Sequence, residues 1–67
     1  MPYGKLSDRE VEILRGVLEG KTGSEIAAEL GISYDRVKQA LFYARGKMEA
    51  PGDSRLAAER ARADGQI

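Results

Sequence analysis

The residues best suited to chemistry in this 67-residue sequence are four cations that lie close together. They are Arg36, Lys38, Arg45 and Lys47. No acidic residue occurs between positions 36 and 48, although the whole chain balances 11 basic residues with 11 acidic ones. A separate positive stretch can attract a phosphate backbone even when the net charge is zero. The alternative interpretation is that these charges form only the solvated face of a helix.

Other kinds of chemistry lack their usual residues. The sequence contains no cysteine and no histidine, and therefore no thiol nucleophile, no thiolate metal site and no imidazole base. Asp8, Glu10 and Glu12 are interpreted as a solvated helix start that suits the helix dipole, and not as a catalytic pair. We therefore expect no enzymatic activity, no cofactor and no bound metal.

The length of the chain predicts one small domain with a thin core, over residues 1–67. Such a core suits three or four short helices and excludes a barrel or a doubly wound sheet. No apolar stretch approaches the roughly 18 residues of a membrane span, and no signal-peptide pattern follows Met1. We therefore expect a cytoplasmic protein that has no membrane contact.

Two capping boxes predict the first two helices. Ser7 and Glu10 can satisfy each other's backbone amides, so the first helix is expected over about residues 8–19. Thr22 and Glu25 repeat this pattern at the start of a shorter helix, expected over residues 23–30.

Serine residues mark the starts of two further helices. Ser33 is expected to cap a helix over residues 34–48, and Ser54 one over residues 55–64. The last helix is rich in alanine, which permits close approach of another backbone. The predicted fold class is all-α: a four-helix helix-turn-helix bundle, with residues 1–6 as a lead and 65–67 as a tail.

The third helix has two chemically different faces. Its predicted inward face is apolar and holds Val37, Leu41, Ala44 and Met48. The opposite face holds Asp35, Gln39, Phe42 and Gly46. An amide such as that of Gln39 can bond adenine in the major groove, and Phe42 can touch a thymine methyl group. Arg36 and Lys38 can reach guanine or phosphate.

Several segments resemble the LuxR-type (GerE-type) DNA-binding domain. They are Leu6–Leu14, Gly20–Ser33, the triplet Arg36-Val37-Lys38 and Ser54–Gly65. The resemblance covers about residues 5–65. The chain departs from that family at Ala40, Phe42 and Tyr43, where the family has a histidine and basic residues, and at Glu49-Ala50, where it has Gly-Val.

This resemblance implies a four-helix bundle whose third helix enters the major groove. It also implies that Lys38 and Gln39 face DNA, that Thr22 touches phosphate, and that the fourth helix makes a dimer contact. Residues 35–40 and 44–48 are also similar to the recognition helix of the fourth region of sigma factors, which shares the fold. That similarity implies base reading by Tyr34, Asp35 and Gln39, and RNA polymerase as a further partner.

The sequence thus predicts a sequence-specific regulator that binds double-stranded DNA as a homodimer, in a prokaryote or its phage. The predicted DNA contacts are Thr22, Ser33, Tyr34, Asp35, Arg36, Lys38, Gln39, Phe42, Tyr43 and Arg45. The predicted dimer contacts are Leu56, Ala57, Arg60 and Ala61. The alternative is a protein-interaction module of the same fold, which would bind RNA polymerase or another regulator without reading DNA.

Overall fold

The computed structural model describes residues 3–67 and contains four helices in that range. They are α1 (Asp8–Leu18), α2 (Gly23–Leu30), α3 (Tyr34–Lys47) and α4 (Ser54–Ala63). Residues 3–67 contain no strand, so the predicted all-α fold is confirmed. None of these helices is long and apolar enough to cross a membrane. Met1 and Pro2 of the predicted lead lie outside the described residues.

The predicted capping boxes begin α1 and α2. The hydroxyl of Ser7 accepts from the amide of Glu10 at 3.1 Å, and the Glu10 carboxylate accepts from the amide of Ser7 at 2.8 Å. Thr22 and Glu25 bond in the same reciprocal way at 3.1 and 2.8 Å. Each box satisfies two amides that would otherwise have no partner at a helix start.

Single side chains begin the other two helices. Ser33 caps α3 as predicted, since its hydroxyl accepts from the amide of Arg36 at 3.2 Å. The prediction that Ser54 caps α4 is wrong. The cap is Asp53, whose carboxylate accepts from the amide of Leu56 at 2.9 Å, so that the helix begins one residue earlier than predicted.

All four helices end with the same two backbone hydrogen bonds, which close a turn through a left-handed residue. At the end of α2 this residue is Gly31, with φ of +68°. At the end of α3 it is Glu49, with φ of +55°, in a conformation that costs a residue with a Cβ about 1 kcal/mol. Arg60 steadies this turn by donating to the carbonyl oxygens of Met48 and Glu49.

The core has two halves that meet at α1. One half joins Leu14 to Met48, just beyond α3, and to three alanines of α4, which are Ala57, Ala58 and Ala61. The other half joins Ile13 to Ile26 of α2 and Val37 of α3. Because alanine side chains are short, α4 lies close to the larger residues, and the thin core can pack densely.

A side-chain amide ties the two ends of the described chain together. Oε1 of Gln66 accepts from the amide of Leu6 at 2.7 Å, and Nε2 of Gln66 donates to the carbonyl oxygen of Gly4 at 2.9 Å. Leu6 itself is buried in the half of the core that holds α4. The predicted lead and the predicted tail therefore contact each other through residues 4, 6 and 66.

A close approach at Gly16 sets the spacing of α1 and α2. A Cβ atom added at Gly16 would lie 2.7 Å from Cγ1 of Ile26, which is closer than carbon atoms can pack. Ile26 is buried and cannot swing into solvent to make room. Since α2 is the first helix of the helix-turn-helix, the missing side chain at Gly16 helps to fix where that unit lies.

We expect Gly16→Ala to lower the free energy of unfolding by about 1–2 kcal/mol, because overpacking exceeds the gain in helix propensity. Gly46→Ala is the matched control, since a Cβ there would have no atom of residues 3–67 within 4 Å apart from the nearby backbone of its own helix. It should raise stability by up to about 1 kcal/mol. Urea unfolding followed by circular dichroism measures both values. Equal stability of the two variants would contradict the proposed role of Gly16.

Candidate nucleic-acid interface

The turn between α2 and α3 has the geometry predicted for a helix-turn-helix. It consists of Gly31, Ile32 and Ser33, between the end of α2 and the start of α3. Gly31 reverses the chain at a positive φ that favours glycine. Ile32 is half-buried and packs against the cluster that holds Val37, so the turn is anchored to the core. These contacts fix the angle at which α3 leaves α2.

The two faces of α3 lie as the sequence predicts. Val37 and Ala44 are buried, as is Met48 just beyond the helix, and Leu41 is half-buried against both halves of the core. The opposite face is exposed at all four predicted positions, Asp35, Gln39, Phe42 and Gly46. The side of α3 that faces away from the core is therefore open along the whole helix.

The starts of α2 and α3 lie side by side. The ring of Tyr34 rests against Gly23, where an added Cβ would be 2.7 Å from Cε1 of the ring. Nζ of Lys38 lies 5.0 Å from the centre of the same ring and 3.4 Å from the carboxylate of Asp35. The exposed caps Thr22 and Ser33 directly precede the two residues of this Gly23–Tyr34 contact in the chain. No sequence pattern around Gly23 predicts that it lies against the ring of Tyr34.

A cleft of about 250 Å³ runs between the start of α1 and the middle of α3. Its lining includes Arg36, Gln39 and Tyr43, which were predicted to contact DNA, and also Arg9 of α1. Arg9 was missed because it lies in a capping box far from α3 in the sequence. Within the cleft, Arg9 is a second cation beside Arg36, and it also pairs with Glu12 at 3.8 Å.

Two of the four cations in the basic stretch hold helices together. The guanidinium of Arg45 donates to the hydroxyl of Ser54 at 2.9 Å, which links α3 to the start of α4. The ammonium of Lys47 lies 2.7 Å from the carboxylate of Glu10 and links α3 to α1. Arg36 and Lys38 remain exposed. The positive charge available on the outer surface of α3 is thus smaller than the sequence indicates.

The interpretation of Glu10 as a solvated acid is wrong, since only 6% of this residue is exposed. Burial raises the pKa of its carboxyl group. The hydrogen bonds from Lys47 and from the amide of Ser7, with the positive charge of Lys47, outweigh that effect, and the pKa of Glu10 lies below its ordinary value. Glu10 therefore stays ionised in the folded protein at neutral pH.

All four residues predicted at a dimer contact take part in the chain's own packing. Ala57 and Ala61 are fully buried in the core, so a partner helix cannot reach them while this fold is intact. The guanidinium of Arg60 binds backbone carbonyl oxygens at the end of α3. Leu56 packs against the same half of the core and stays half-buried, and the ion pair of Arg55 and Glu59 lies exposed beside it.

A family model matches most of the chain. The model of a family described as bacterial regulatory proteins, luxR family, matches residues 4–59, which include the first three helices and about half of α4. No curated protein matched the chain.

The Glu10–Lys47 pair gives a pH-dependent prediction. Because the folded pKa of Glu10 is lowered, the pair stabilises the fold above about pH 4.5, and this contribution is lost as the pH falls through the folded pKa. Lys47→Met should lower the free energy of unfolding by about 1–3 kcal/mol at neutral pH and by less near pH 4. Urea unfolding across this pH range measures the difference.

A double variant separates charge from packing. Adding Glu10→Gln to Lys47→Met removes the unpaired buried carboxylate and should recover part of the lost stability at neutral pH. Lys21→Met is the control, since Lys21 bonds Glu19 and Glu29 only at the exposed surface. An equal loss for Lys47→Met at both pH values would refute the role of the charge.

Proposed function

Because the chain belongs to the luxR family of bacterial regulatory proteins and forms its helix-turn-helix DNA-binding domain, we propose that it is a sequence-specific transcriptional regulator. It inserts α3 into the major groove of double-stranded DNA, in the cytoplasm of a prokaryote or of the host of a phage. The observation that carries this proposal is the open outer face of α3, opposite a face that is buried. A helix with one free face fits the width of the major groove.

Separate roles follow from the positions on α3. Gln39 lies at the centre of the exposed face, and its amide has the paired donor and acceptor that adenine requires. Arg36 lies in the cleft beside it, next to Arg9, where two cations can hold one strand of the phosphate backbone. Lys38 is steadied by the Tyr34 ring and can reach guanine or phosphate.

The start of the helix-turn-helix supplies further phosphate contacts. The hydroxyl oxygen of Thr22 accepts from the amide of Glu25, so its proton is available to a phosphate oxygen. Ser33 and Tyr34 are exposed at the start of α3, beside the acidic Asp35. A contact of Arg45 with DNA stays a prediction that requires this side chain to leave Ser54.

A homodimer through the surface of α4 completes the proposal. A single copy reads only a few base pairs, and two-fold pairing doubles the contacts. The part of α4 that supports such a contact is the exposed surface formed by Leu56 and the Arg55–Glu59 pair. The buried alanines contribute indirectly, since they hold α4 against the core and fix the direction of that surface.

A second candidate function is a protein-interaction module that binds RNA polymerase or another regulator. It is favoured by exposed aromatic residues, since Tyr34, Phe42 and Tyr43 are all at least half exposed. Phe42 and Tyr43 also line an apolar groove of about 410 Å³ with Pro51 and Gly52. The zero net charge of the chain agrees with this alternative.

Two substitutions on α3 separate base reading from phosphate binding. Gln39→Ala should relax the preference at one base pair and weaken binding to the selected site by about 1–3 kcal/mol, with little effect on scrambled DNA. Arg36→Ala should weaken both DNAs similarly and flatten the log–log salt dependence by about one unit for each phosphate that the variant no longer neutralises. Fluorescence anisotropy over a salt series, on a site selected from random duplexes, measures both effects.

Equal weakening of both DNAs by Gln39→Ala would show that this residue does not read a base. If neither variant changes binding, α3 is not the surface that faces DNA, and the protein-interaction module becomes the better explanation. Arg15→Ala, which removes an exposed cation in the last turn of α1, is a control that should leave the salt slope nearly unchanged.

The dimer is tested by charge reversal on α4. Glu59→Arg gives the proposed contact surface two positive charges, at positions 55 and 59, in place of an ion pair. The like charges of two copies should then repel each other and shift the protein towards monomers in sedimentation experiments. Glu12→Arg is a matched control, since Glu12 forms a similar exposed pair with Arg9 on α1 at 3.8 Å. If the wild-type chain stays monomeric at about 100 μM and also on DNA, the dimer proposal is wrong.

A further inference from the structure

The most exposed large apolar side chain among residues 3–67 is Phe42, at 66%. It lies on the outer face of α3, where its described neighbour is the ring of Tyr43, with centroids 5.7 Å apart and planes at 73°. The exposed two-thirds of this phenylalanine gains nothing for the folded chain, because that hydrocarbon stays in water. A ligand that covers the ring would remove this hydrocarbon from water.

We infer that Phe42 makes α3 selective for a pyrimidine that carries a C5-methyl group in the major groove. This inference rests on the proposed function and names the base chemistry that the same surface reads. The two sources of such a group in DNA are thymine and 5-methylcytosine, which present the same methyl at the same place.

The position of Phe42 on the helix supports this assignment. It follows Gln39 by three residues, which is about 4.5 Å along the helix axis. Successive base pairs are about 3.4 Å apart, so the two side chains reach the same or neighbouring base pairs. An adenine bonded by Gln39 brings a thymine methyl with it, since the two bases pair. The two residues therefore suit the same kind of base pair.

The chemistry of the ring excludes the other groups on the groove floor. Guanine presents two acceptors, cytosine a donor, and adenine both a donor and an acceptor, whereas thymine adds a methyl group to its acceptor. A phenyl ring offers none of these groups a hydrogen bond, so covering them with the ring removes hydration without compensation. The methyl group is the part of the groove floor that gains from contact with Phe42.

The surroundings of the ring leave room for this contact. The cations next along the helix, Arg45 and Lys47, are bonded to Ser54 and Glu10, so they turn towards α4 and α1. One turn beyond the ring, Gly46 carries no side chain, and a Cβ there would have no described atom within 4 Å. Arg45 and Lys47 also line the groove beside the ring, and their charged groups are held there by Ser54 and Glu10.

Removal of a single methyl group tests the inference. In a site selected by the wild-type protein, each thymine is replaced in turn by uracil, which differs only at C5. At one or more positions we expect uracil to weaken wild-type binding about fourfold, the effect of burying one methyl group. Phe42→Ala should bind thymine and uracil equally at that position. Circular dichroism checks that the variant is folded.

A second arm separates the two sources of the methyl group. At the responsive position, the T·A pair is replaced by C·G, and the cytosine is then methylated at C5. A gain of about fourfold with wild type but not with Phe42→Ala assigns the contact to both bases. If methylation has no effect while uracil does, the contact is restricted to thymine.

Two further variants serve as controls. Arg15→Ala, on the exposed surface of α1, should keep the uracil effect, and Gln39→Ala should keep it while preference at its own base pair is relaxed. If wild type ignores uracil at every thymine, or Phe42→Ala keeps the uracil effect, this inference is wrong although binding of DNA stands. If no DNA is enriched at all, the proposed function fails and this inference fails with it.

Discussion

Two adjacent residues of α1, Ile13 and Leu14, are fully buried in different halves of the core, and the positions of the other helices depend on this division. A step of about 100° per residue lets neighbours on one helix face two partners. Ile13 supports α2 and the start of α3, whereas Leu14 supports α4 and the end of α3. Both ends of α3 are therefore supported by α1, which makes no major-groove contact in the proposed complex.

The sequence predicts what depends on neighbours along the chain. The capping boxes at Ser7 and Thr22 and the apolar spacing of α3 act within a turn or two, so the starts of α1 and α2 and the two faces of α3 were predicted correctly. It could not assign contacts between distant positions, such as Gly16 with Ile26 or Glu10 with Lys47, because they depend on how helices pack. An alanine stripe such as that of α4 suits a dimer and a close-packed core equally well. The structure shows that Ala57 and Ala61 belong to the core.

The division of the basic stretch has consequences for the proposed binding of DNA. Lys47 and Arg45 stabilise helix contacts, so fewer cations remain for phosphates than the composition indicates. Fewer phosphate contacts mean weaker non-specific binding and a smaller salt dependence. Discrimination between sites then depends to a larger extent on base contacts, which gives the amide of Gln39 and the exposed ring on the next turn more weight than they would have on a strongly basic helix.

The contact of Gln66 with residues 4 and 6 bears on how the domain responds to mechanical load. When the chain is pulled from both ends, tension passes first through these hydrogen bonds, which lie outside the two halves of the core. These two hydrogen bonds are few and near the surface, so they break at low force, before the packing of the core is disturbed. The tension would then fall on Leu6 and the turn after α4, while the packing of α2 against α3 stays shielded until α1 itself is drawn away.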